Sequence, residues 1–120
     1  MAEDLYARLR KLSPKVTGGL VRMRQETFKD AAVPAKYKVL AALAVVVSHR
    51  CEPCIRAYAK MAHQAGASLE EVVEFLNVAI TEGGCPGEQW AIEALEVFEG
   101  LGRGQEVKEE ACCKLPEEPR

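Results

Sequence analysis

Two thiols separated by two residues, in Cys51-Glu52-Pro53-Cys54, are the part of this chain best suited to chemistry. At that spacing the sulfurs can form and break a disulfide, or share a zinc ion. The pair follows an apolar run and opens a new helix. A helix start leaves backbone N–H groups without partners and carries partial positive charge, so a sulfur placed there ionises more readily to the reactive thiolate. Arg50 beside the pair favours the thiolate, and Glu52 between the two sulfurs opposes it.

Structural zinc needs four ligands, and here no second Cys-x-x-Cys follows; the histidines are His49 and His63. On a regular helix His63 lies about 180° around the axis from Cys54 and points away from it. Neither a metal nor another cofactor is expected. The plainer alternative makes Cys51 and Cys54 small buried hydrophobes at a helix start, which is common for cysteine. Thiol exchange is preferred because the spacing, the helix start and Arg50 coincide. His49, two residues before Cys51, serves either as a proton acceptor or as a favourable cation at the end of the preceding helix. Cys85 in a Gly/Pro stretch reads as a tolerated thiol, and Cys112-Cys113 near the end of the chain as incidental exposed thiols.

Elements that would hold the pair are helical throughout, because apolar residues recur at three- and four-residue spacing and no useful strand alternation occurs. About six helices are expected. Leu5, Leu9 and Leu12 form the first stripe; Ser13-Pro14 starts a second helix running to about Asp30; Pro34 opens a third. From Val39 to Val47 the third helix has no polar face, so it needs cover on every side, part of it from a second copy of the chain. The fourth helix carries the pair and ends at Gly66, and Ser68 with Glu71 reads as a capping box for the fifth. The fifth stops at Gly83-Gly84-Cys85-Pro86-Gly87, and a sixth presents Ala91, Leu95 and Phe98 before a charged tail. One helical domain over residues 1–103 and a tail over 104–120 are expected.

A length of 120 residues suits one domain, and 48 % hydrophobic with 28 % charged residues is the balance of a globular protein. Sixteen basic against eighteen acidic residues, net charge −2, offer no footprint for gripping phosphates, so nucleic acid is not an expected partner. The longest apolar run is about half the roughly 20 residues that cross a bilayer, so no membrane partner is expected. An odd count of five cysteines, behind a start without the features of a secretory signal, points to the cytoplasm.

Cys51-x-x-Cys54 behind a buried helix, Gly66-Ala67-Ser68-Leu69-Glu70-Glu71-Val72 a dozen residues later, and Gly83-Gly84 beyond them form a pattern. It resembles the carboxymuconolactone decarboxylase and alkylhydroperoxidase D-like family, over roughly Val16 to Leu101. The resemblance implies an all-helical fold assembled as homotrimers or homohexamers. For the peroxidase branch it implies that the pair reduces a hydroperoxide substrate, with Cys54 oxidised to a sulfenic acid and Cys51 closing the disulfide. A dithiol protein or small thiol would then reset the pair.

The chain also departs from that pattern. The peroxidase branch has a histidine four residues after the second cysteine and a glutamate twelve before the first; here these are Tyr58 and Val39. Tyr58 keeps the position, one turn from Cys54, but a phenol with a pKa of ~10 is a poor base near neutrality. His49 and Glu82 are candidates to handle the proton instead. The decarboxylase branch does not rely on a cysteine pair. Two functions follow as expectations: a thiol-dependent antioxidant oxidoreductase acting on hydroperoxides or disulfides, or a non-enzymatic member that binds a ligand or partner.

Overall fold

The computed structural model describes residues 4–106, and within them every regular element is a helix. These are α1 (Leu5–Leu12), α2 (Pro14–Thr27), α3 (Ala35–Ser48), α4 (Glu52–Gln64) and α5 (Leu69–Gly102). Most of the tail expected over 104–120, with Cys112 and Cys113, lies outside the described residues. Among the described residues no helix is long and apolar enough to cross a membrane.

Ser13 ends α1 and begins α2, so the two helices form a hairpin with Pro14 in the first turn, where its missing N–H leaves no bond unmade. Neither helix contains a buried residue. The expected end of α2 near Asp30 is corrected to Thr27. The Asp30 carboxylate instead accepts the Ala35 backbone N–H at 2.7 Å, satisfying an amide at the start of α3. Phe28, just past α2, packs on the core and tilts against the Tyr58 ring, centroids 5.6 Å apart.

The core lies where α3, α4 and α5 pack on one another. Leu40, Leu43 and Val47 from α3, Ile55 from α4 and Val72 from α5 are its largest fully buried side chains. Each such burial contributes about 1.5–3 kcal/mol before entropy is set against it. Although α3 is apolar all round from Val39 to Val47, only its Val39, Leu40, Leu43, Val47 face is buried within the chain; Val45 is 52 % exposed.

The expected capping box is present: the Ser68 hydroxyl accepts the Glu71 N–H at 3.0 Å, and the Glu71 carboxylate accepts the Ser68 N–H at 2.9 Å. Glu71 also pairs with Lys36 at 3.0 Å, tying the first turn of α5 to the first turn of α3. The Ser68 backbone donor, then the Lys36 ammonium, hold the Glu71 carboxyl below its ordinary value, and Glu71 raises Lys36. A lowered carboxyl stabilises the fold above its unfolded pKa and loses that contribution as pH falls through the folded value. A raised ammonium stabilises below its unfolded pKa and loses its contribution as pH rises through the folded value. The melting-temperature gap between wild type and Glu71→Gln should therefore be flat through neutrality and close as pH drops below about 4, near the ordinary glutamate value. A gap that persists at pH ~2 would contradict this.

The expected break at Gly83 to Gly87 is present as a kink: α5 is two helical limbs that meet at Gly84. Only Gly84 leaves helical geometry, at φ 62° and ψ −144°, a region essentially reserved for glycine. Helix restarts at once, because Pro86 falls in the first turn of the second limb. The corner is tight: a Cβ on Gly87 would stand 2.6 Å from the Ala79 carbonyl oxygen. That oxygen is backbone and cannot swing aside. Gly87→Ala is expected to lower stability by about 1–3 kcal/mol, read from the urea midpoint; an unchanged midpoint would show that the corner yields.

Candidate functional site

The cysteine pair is positioned by the way α3 ends. His49 is its C-cap, the Arg50 N–H donates to the Val47 carbonyl at 3.1 Å, and the Cys51 N–H donates to the Val46 carbonyl at 3.2 Å. This is a Schellman ending, with Arg50 in its left-handed position at φ 58°. The same two bonds close α4 at Gly66 and α5 at Gly104, each with glycine at φ 80° and 82°. A residue with a Cβ pays about 1–2 kcal/mol to adopt this conformation. Arg50 is the one residue other than glycine with positive φ among the described residues.

That turn delivers Cys51 as the N-cap of α4, and the Ile55 N–H donates to the Cys51 carbonyl at 2.8 Å. Cys54 falls in the first turn, one step after Pro53. The two residues are joined as a disulfide with their Cα atoms 5.2 Å apart, within the range a bridge spans without moving backbone. Both are half-buried, and Cys54 packs on the core. In the reduced form a Cys54 thiolate lies at the positive end of the α4 dipole, which favours the charge. Glu52, expected to oppose that charge, is paired with Arg56 one turn on at 2.8 Å, which offsets its field.

The remaining candidates fall in three places. Tyr58 is buried, 7 % exposed, one turn beyond Cys54 and tilted against Phe28, so its ring belongs to the core. Val39, at the position of the family's glutamate, lies in the same core at 4 % exposure. His49 is exposed at the end of α3. Arg50 and Glu82 come together across a cavity of about 200 Å³ between the end of α3 and the kink of α5. His63 is turned away from the pair, with its ring edge-on to Phe98 at 5.9 Å. Cys85 is an exposed free thiol in the first turn after the kink.

Sequence reasoning missed Ser48, Pro86 and Gly87 as walls of that cavity. The Gly-Gly-x-Pro-Gly run does signal a corner. Nothing in it signals that the corner meets the end of α3.

The described residues form an all-α bundle with a close Cys-x-x-Cys pair at the start of an inner helix. The chain belongs to the carboxymuconolactone decarboxylase family, which it matches over residues 14–97, from the start of α2 into the second limb of α5. It is similar to the crystal structure of the apo form of a carboxymuconolactone decarboxylase family protein from Legionella pneumophila. That similarity runs to 35 % identity and a TM-score of 0.76, covering 81 % of this chain and 87 % of the other. An uncharacterised protein of Cupriavidus necator is 28 % identical over 111 residues, covering 84 % of this chain and 98 % of its own.

Proposed function

We propose that this protein is a thiol-dependent oxidoreductase that reduces hydroperoxides, or disulfides, through Cys51 and Cys54. The observation that carries this reading is the bridged pair at the N-terminus of α4, half-buried and within reach of solvent. In the forward half-reaction a Cys54 thiolate attacks one peroxide oxygen, the O–O bond breaks, and the departing alkoxide takes up a proton to leave as the alcohol. Cys54 is then a sulfenic acid. The Cys51 thiol displaces its hydroxyl as water and closes the disulfide. Two reducing equivalents from an external dithiol, or from two small thiols, return the pair to its starting state.

The proton is the demanding step, since Val39 and Tyr58 replace the acid–base residues of the peroxidase branch and both are buried in the core. This motivates the second reading, a member of the family that keeps the fold and binds a ligand or partner without turnover. Hydroperoxide consumption by micromolar protein with excess dithiothreitol separates the two. Steady turnover that disappears when the pair is alkylated supports the first; no consumption above the alkylated control supports the second.

Self-association, as a trimer or hexamer, belongs to the same proposal. Its support is apolar surface left open in one chain: Val45 on α3, and Leu5, Leu12, Val16 and Met23 on the α1–α2 hairpin. Sedimentation equilibrium tests it, and a monomer at tens of micromolar would remove it.

A further inference from the structure

The α1–α2 hairpin and α5 carry opposite charge. The hairpin holds Arg8, Arg10, Lys11, Lys15, Arg22 and Arg24 against the single acid Glu26. Along α5 lie eight glutamates and neither lysine nor arginine. Within one chain the hairpin is left aside: α1 packs on α2, α5 packs on α3 and α4, and among the described residues no hydrophobic side chain of α1 or α2 packs on the core.

Two rows run side by side along α2. Val16, Leu20 and Met23 recur at four- and three-residue spacing and are all exposed, Met23 by 61 %. Lys15, Gly19 and Arg22 recur beside them at the same spacing. Val16, Gly19, Leu20, Arg22 and Met23 line one open groove, and Gly19 is its notch. A Cβ on Gly19 would meet one atom within 4 Å, the Arg22 Nη2 at 3.9 Å. Lys15 and Arg22 stand about 10.5 Å apart along the axis, one on each side of the notch.

The second limb of α5 presents the complement. Glu88, Ile92 and Glu96 recur every four residues on one face, and all three are exposed, Ile92 by 51 %. The two acids stand about 12 Å apart along the axis, with the aliphatic side chain midway. Lys15, Arg22, Glu88 and Glu96 form no ion pair with another described residue. In the first limb Glu74, Val78 and Glu82 repeat the pattern, but cations of the same chain already stand there. Lys36 pairs with Glu71, and Arg50 lines a cavity with Glu82.

We infer that the α1–α2 hairpin of one copy docks on the second limb of α5 in another copy. Ile92 enters the notch at Gly19, and Lys15 and Arg22 pair with Glu88 and Glu96. Each copy gives a hairpin and receives one. This rests on the self-association proposed above and names its two surfaces. An anionic lipid surface would also suit a basic hairpin with an apolar row. It would leave the acids of α5 and the exposed Ile92 unaccounted for, whereas a second copy accounts for both surfaces.

The test is charge reversal in the full chain, read by sedimentation equilibrium. Lys15→Glu with Arg22→Glu should raise the dissociation constant of self-association about tenfold or more, and Glu88→Lys with Glu96→Lys should do the same. All four changes in one chain should recover most of that loss, because the signs again oppose. Wild-type association should weaken as salt rises from about 0.05 to 0.5 M. The four side chains are exposed, so their reversal leaves the core intact and the melting temperature of the monomer close to that of wild type. Gly19→Gln fills the notch without changing charge; it should weaken association and melt no lower, since it replaces a glycine inside a helix.

Association unmoved by either pair of reversals, or reversals that fail to compensate when combined, overturn the contact. So does binding of the wild type to phosphatidylglycerol vesicles that Lys15→Glu with Arg22→Glu abolishes while self-association is unchanged, which assigns the hairpin to lipid. A wild type that stays monomeric at tens of micromolar removes the self-association reading itself, a separate failure.

Discussion

Cys54→Ser is expected to abolish dithiol-dependent turnover of hydroperoxide, a loss of about 10³-fold or more, because no other group replaces the attacking sulfur. Cys51→Ser is expected to stop turnover as well, but at a later point. Its Cys54 thiolate still breaks the O–O bond once, and the sulfenic acid then has no partner thiol to displace its hydroxyl. Trapping with dimedone and intact mass should find the adduct on Cys51→Ser and not on Cys54→Ser. Prolonged peroxide should carry that stranded sulfenic acid on to the sulfinic acid. An adduct on the opposite variant would exchange the roles of the two cysteines. Wild-type turnover in both single variants would remove the redox reading altogether.

The order of roles assigned to the sulfurs is what the family resemblance implies, whereas the start of α4 that holds them was legible in the sequence. Pro53 tolerates only the first turn of a helix and the preceding apolar run ends at Ser48-His49, so Cys51 is left at the boundary and Cys54 inside it. The capping box at Ser68 was legible for the same reason, since a hydroxyl and a carboxylate three residues apart satisfy each other's backbone amides without help from the rest of the fold. Long-range features were not legible. Asp30 looked like the end of α2, and only the return of the chain at Ala35 shows that its carboxylate serves α3.

Arg50 is the sharper case. Arginine has no preference for the left-handed region, so nothing in its type marks a Schellman position; the mark is the pair of hydrogen bonds made by Arg50 and Cys51 back to Val47 and Val46. Its facing residue, Glu82, is thirty-two positions away in sequence. The kink at Gly84 decides which side of α5 meets the end of α3. Glu82 was therefore recognisable as a candidate carboxylate near the pair, but not as the opposite wall of a cavity.

Grafting the family's acid–base pair back into this chain should raise its peroxidase rate, but only when both residues change together. Val39 is 4 % exposed and surrounded by the apolar residues of α3, α4 and α5, so Val39→Glu alone buries an unpaired carboxylate and should lower stability by about 3–5 kcal/mol. Tyr58→His alone gives up the ring contact with Phe28, about 1 kcal/mol, and leaves an imidazole without the carboxylate to orient it. In the double variant each group supplies what the other lacks: the carboxylate fixes the imidazole, and the imidazole, one turn from Cys54, takes the thiol proton and can return it to the leaving alkoxide. A general base in that position is worth about 10²-fold or more. Rates for hydroperoxide and melting temperatures across the four proteins of the cycle should both be non-additive, with the double variant more stable than Val39→Glu and faster than Tyr58→His. Its rate should also acquire a pH dependence near an imidazole pKa of about 6.5 that the wild type does not show. If the double variant is no faster than Tyr58→His, Val39 and Tyr58 are not what limits this chain, and the proton already has another route through His49 or Glu82.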